Sequence, residues 1–98
     1  MIFAVNLQLD DRTWRRRYVG RRTLRQVSDE LMKGQWCRYF DWLWLVATDE
    51  SAVDVAARLI PFLHGNDRVV VLPVDGQVAG TAPREMWEWI RAHQEIPA

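Results

Sequence analysis

The chain predicts an α+β domain, a small antiparallel sheet with helices packed on it, and three observations carry this. Gly34 to Thr48, GQWCRYFDWLWLVAT, is the most apolar and aromatic stretch, and its tail alternates in steps of two. Trp42, Trp44, Val46 and Thr48 fall on one side, with Leu43, Leu45 and Ala47 on the other. Alternation at that period belongs to a strand rather than a surface helix, so the stretch reads as a central β-hairpin turning near Tyr39 to Asp41. Two further runs, Ile2 to Leu9 and Arg68 to Val74, have strand patterns, and two segments between the strands open on helix caps.

In the first strand Phe3, Val5, Leu7 and Leu9 make an apolar side, while Asn6, Gln8 and Asp10 share the other. The segment DDRTWRRRYVGRR follows, with Gly20 and few apolar residues, and reads as a basic loop (11–22) or short irregular helix. Thr23 with Gln26 three positions later is a capping box. Leu24, Val27, Leu31 and Met32 form the buried stripe of that helix, and Gly34 is expected to supply its left-handed stop.

After the hairpin, Ser51 caps a second helix with Asp54 at its third position. Its apolar face is read as Val53, Ala56, Ala57, Ile60 and Leu63, with Pro61 tightening the last turn. HGND is a stop, where His64 complements the negative helix end. RVVVLPV then reads as a strand buried on both sides, and Pro73 implies an unpaired edge. Asp75 and Gly76 make a turn, Gln77 to Ala79 a short strand, and Pro83 opens a terminal helix (82–94). There Met86, Trp87 and Ile90 face the protein and Trp89 points elsewhere. The order strand, helix, strand, strand, helix, strand is the split βαβ arrangement of a ferredoxin-like fold. Helices are expected on one face, with the C-terminal helix as an appendage.

At 98 residues this is a single domain with one core. A hairpin apolar on both faces needs cover on both, and the second cover is expected from a further sheet or a second subunit. Cys37 lies inside the hairpin with no partner for an intrachain disulfide and no metal-ligand spacing, so it reads as a structural thiol. The N-terminal sequence lacks the flank and cleavage site of a signal peptide, and no apolar run reaches membrane length. A cytoplasmic protein without membrane contact is the expectation.

Net charge is zero, yet between Asp10 and Arg25 seven arginines face two aspartates. Arg12, Arg15, Arg16, Arg17, Arg21, Arg22 and Arg25, with Trp14 and Tyr18 among them, suit a grip on phosphate with a ring stacked on a base. The same patch would also suit an acidic protein surface. Asp10 and Asp11 are candidate metal ligands, although Asp after a strand commonly serves turn chemistry. His64 and His93 have no spacing that suggests a triad or a zinc site.

RYFDWLWLVATDESAVDVAARLIPFLHGNDRVVVLPVDG followed by TAPREMWEWI resembles the SinR-like small bacterial proteins. These are relatives of the second CRISPR-associated protein, the small subunit of the spacer-acquisition complex. Tyr39, Phe40, Asp41, Trp44 and Thr48, the capped helix with its Pro-containing end, the Asn-Asp-Arg start of the last core strand and the paired tryptophans carry the likeness, from Gly34 to Ile90. The resemblance implies a ferredoxin-like protomer and a homodimer. By their strand and helix spacing, Trp42, Trp44 and Trp89 are the residues expected at a dimer interface. The resemblance also implies an Mg²⁺-dependent nuclease centre built on a first-strand Asp from each subunit. Gln8 stands at that position, a poor ligand for a hard dication, and Asp10 would have to substitute through a shifted strand end. The leading expectation is a dimeric nucleic-acid-associated binding or scaffold protein without strong catalysis. The alternatives are an Mg²⁺-dependent nuclease acting through Asp10 and Asp11, or a protein-interaction module such as a phage-encoded inhibitor or antitoxin-like protein.

Overall fold

The structure is a computed structural model that describes residues 1–9, 18–19, 22–40, 42–63, 66–75 and 79–94, with backbone only at Tyr18, Val19 and Arg22. Its strands are β1 (Ile2–Gln8), β2 (Tyr18–Val19), β3 (Arg22–Thr23), β4 (Gln35–Phe40), β5 (Leu43–Ala47) and β6 (Arg68–Val74). The helices are α1 (Leu24–Leu31), α2 (Ala52–Leu59) and α3 (Arg84–His93), and a 3₁₀ turn spans Ile60–Phe62. Four strands form one antiparallel sheet in the order β4-β5-β1-β6, and β2 pairs with β3 in a separate two-residue ladder. The chain is therefore an α+β protein, and part of the expected basic loop is paired backbone.

The alternation of β1 decides the layering. Phe3, Val5 and Leu7 point to one face, where Trp44, Val46, Leu24, Met32, Val55 and Leu59 complete a buried cluster beneath α1 and α2. Ile2 and Ala4 point to the other, where Leu45 packs on Met86 and Ile90 of α3. The second face thus has an internal cover, in place of the further sheet or second subunit expected, but a partial one. A strip along β6 stays open, with Val70 at 43% and Leu72 at 56% exposure. RVVVLPV is therefore not buried on both sides: β6 is an edge strand, as Pro73 implied, and only Val69 and Val71 pack on the α1/α2 cluster.

Local chemistry sets the helix starts. Thr23 Oγ1 accepts from Gln26 N–H at 3.2 Å, and the Gln26 side chain accepts from Thr23 N–H at 2.9 Å, so the capping box is formed. Ser51 caps α2 by accepting from Asp54 N–H at 3.1 Å. Pro61 sits in the first positions of the 3₁₀ turn, which tightens the end of α2.

Two helix readings are corrected. The buried side of α2 is Val55 and Leu59, with Ala52, Phe62 and Leu63 beside them, whereas Val53 is 76% and Ile60 55% exposed. Val53 and Ile60, seven apart, form a rival apolar stripe, and the anchoring of both helix ends to the sheet selects Ala52–Val55–Leu59 over it. Gly34 does not stop α1, whose C-cap is Met32 in extended conformation. Gly34 takes φ +102°, and a Cβ there would lie 2.2 Å from the Ala47 carbonyl oxygen, so this glycine lets the chain pass close to β5.

Candidate nucleic-acid interface

One end of the sheet exposes aromatic rings beside Arg68, with Glu85 and Glu88 of α3 close enough to act on Tyr39. In the register, Gln8 at the end of β1 lies opposite Arg68 at the start of β6, and Asn6 opposite Leu43 at the start of β5. Leu7 N–H donates to the Trp42 carbonyl at 3.0 Å, which fixes the hairpin turn at this same end. Between Cys37 and Phe40 the pairing of β4 with β5 shifts by a bulge. An extra residue there bends the strand and re-aims its side chains. Tyr39 and Phe40 are each 38% and Trp42 47% exposed. Arg68 is exposed as well, and its Nη1 turns back to the Asp67 carbonyl at 2.9 Å.

The basic segment begins here. It leaves from Leu9, directly after β1, and re-enters through β3 into the first turn of α1, which carries Arg25 half exposed. Asp10, Asp11, Arg12, Trp14, Arg15, Arg16, Arg17 and Arg21 lie outside the described residues, and for Arg22 only backbone is described. Chain connectivity ties the start of the segment to the end of the sheet that exposes Phe40, Trp42 and Arg68. Sequence reasoning missed Phe40 and Arg68 as site residues. The signal for Arg68 was its place at the start of a strand antiparallel to β1, which puts it beside Gln8.

The three tryptophans expected at a subunit interface separate. Trp42 is exposed in the turn rather than aligned with Trp44 in the strand. Trp44 is 1% exposed within a single protomer, so its assignment to an interface is corrected: no surface of it is left for a second subunit. Its Nε1–H donates to Asp29 Oδ1 at 2.6 Å, while Arg38 donates to both oxygens of the same carboxylate at 3.0 and 3.2 Å. The Arg38 guanidinium also lies 5.8 Å from the Trp44 ring centre. This cluster clamps α1 to β4 and β5, a forked ion pair whose remaining acceptor capacity is taken by an indole. Trp89 is half-buried and stacks on His93 with ring centres 4.1 Å apart.

His93 is a fastening at the end of α3. Its Nδ1–H donates to the Trp89 carbonyl at 2.8 Å, and Nε2 contacts the Gln35 side-chain amide, joining the end of α3 to the start of β4. Cys37 behaves as the sequence reading expects: loss of hydration raises its thiol to about 11 against a smaller lowering by the Leu45 backbone, so it is no nucleophile at neutral pH. Among the described residues no group of three or more His, Cys, Asp or Glu is placed to hold a metal ion. Nor is any helix among them long and apolar enough to cross a membrane.

In comparisons with known proteins, no family model, curated protein or solved structure matches the chain.

Proposed function

We propose that this protein binds single-stranded nucleic acid as a homodimer of ferredoxin-like protomers, akin to the SinR-like group, and acts as a binding or scaffold module. The observation that carries the reading is the sheet end where exposed Phe40, Trp42 and Arg68 adjoin the start of the arginine-rich segment, which follows β1 directly. Arginines neutralise phosphates while exposed rings stack on bases, and neither contact needs a particular sequence. Described by its four main strands, the order is second, third, first, fourth, with α1 joining the first to the second and α2 the third to the fourth, each crossing over one strand, and this supports the ferredoxin-like reading. The open strip of Val70 and Leu72 supports a second copy on that face, because exposed apolar side chains in a row on a sheet favour a covered state.

Fluorescence anisotropy with a labelled oligothymidylate at rising salt tests the reading. Binding should weaken steeply between about 50 and 200 mM salt, and replacing Arg15, Arg16 and Arg17 together by Ala should flatten that dependence. Trp42→Ala should cost affinity without changing the salt slope. Absence of any anisotropy change at the lowest salt would remove the proposal.

A further inference from the structure

We propose a second site, on α3, for a small anion that carries a flat ring, of which a nucleoside monophosphate is the model compound. It rests on none of the sheet-end residues. A groove of about 580 Å³ runs between α3 and the chain before it, lined by Gly80, Ala82, Arg84, Trp87, Ile90 and Arg91. That volume falls in the range of small-ligand clefts. Arg84, Trp87 and Arg91 are spaced by three and four residues, so one helix face presents an indole between two guanidinium groups. Trp87 is half-buried against the second-face cluster, which holds it in place, and Ile90 beneath it is buried.

The opposite wall leaves room for a ring. Ala82 and Gly80 are small, and a Cβ built on Gly80 would meet nothing within 4 Å. Among the described residues that line the groove the charge is one-sided, two arginines and no carboxylate. Arg84 Nε donates to Glu88 Oε1 at 3.0 Å on the surface, which leaves its terminal nitrogens free to turn inward. Among the described residues the Arg91 guanidinium enters no ion pair or hydrogen bond. An isolated cation beside a half-covered indole matches a ligand with phosphate at one end and a ring at the other, the ring stacking on Trp87 while Arg91 and Arg84 fork the phosphate oxygens.

Titration of the full chain with adenosine monophosphate, followed by the indole N–H resonances in nitrogen-15 NMR, tests this. Trp87→Phe identifies the resonance. That resonance should move, and the nucleotide should bind about tenfold more tightly than inorganic phosphate because only the nucleotide has a ring to stack. Arg91→Glu, at an exposed position, should keep the melting temperature and weaken nucleotide binding by about tenfold or more. A 5′-phosphorylated oligothymidylate, compared with its 5′-hydroxyl form in the Arg15, Arg16, Arg17 triple variant, separates two sources of the same chemistry: a Trp87 shift that needs the 5′-phosphate and saturates at lower concentration than with the free nucleotide makes the ligand a strand end, and equal or weaker binding makes it a free nucleotide. Equal affinity for nucleotide and phosphate, or unchanged nucleotide binding in a folded Arg91→Glu variant, would overturn the site. The Arg15, Arg16, Arg17 triple variant should still bind the nucleotide, so failure at the sheet end and failure here are separable.

Discussion

The two faces of the sheet are built from the same alternating strands and yet finish differently. Beneath α1 and α2, Val5, Trp44, Val46, Leu24 and Leu59 are all at or below 1% exposure, and the Asp29 carboxylate pins the helix layer to the hairpin. Beneath α3 the cover is one helix wide. It reaches Ile2, Leu45, Cys37 and, at the end of β6, Val74, but leaves Val70 and Leu72 open along the rest of that strand. The first face is finished for stability, and the second leaves an open apolar strip along β6.

The largest test of that contrast is Trp44→Ala, which empties the centre of the sealed face and should destabilise the protomer by about 3–5 kcal/mol in urea unfolding. Asp29→Ala should follow at about 2–3 kcal/mol, because it strands a half-buried guanidinium and an indole N–H together. A double-mutant cycle with Arg38→Ala should return a coupling of about 1 kcal/mol or more, and purely additive losses would mean that Asp29 and Arg38 do not interact in solution. Ile90→Ala, on the thinner cover, should cost about 2 kcal/mol, the low end for a buried aliphatic, since the groove beside α3 lets its surroundings relax.

Cys37 tests how tightly that same cover closes. Its raised value means that the folded chain holds the proton more strongly than the unfolded chain. The stabilisation is therefore complete below pH 9 and is lost as pH rises from 9 through about 11. Thiol labelling of the folded protein should reach half its maximal rate near pH 11, and of the urea-unfolded protein near 9; coincident profiles would show α3 standing away from β4 in solution. The smallest effect on the protomer is expected from Val70→Ser with Leu72→Ser, about 0.5 kcal/mol or less, because both are exposed. If a second copy docks on this strip, the same pair of changes should shift sedimentation from dimer to monomer.

Where a feature depends on neighbours in sequence, it was legible. The hairpin, both helix caps, the alternation of β1 and the tight turn at Pro61 follow from spacing and side-chain chemistry within a few residues. That physics is complete before the chain folds. Where a feature depends on which apolar group meets which, sequence left rivals standing. Val53 and Ile60 were as apolar as Val55 and Leu59, Trp42 as aromatic as Trp44, and the run of β6 as greasy on its open side as on its packed one.

Tertiary structure chose among them because the two helices, the sheet order and the width of α3 divide a limited supply of cover. The arginine-rich composition of residues 10–25 was plain from sequence alone, as was its junction with β1. Only the antiparallel register brought Arg68 beside Gln8 and set Phe40 and Trp42 at the same end, for strand pairing joins residues that lie some sixty positions apart and carry no local signal of each other.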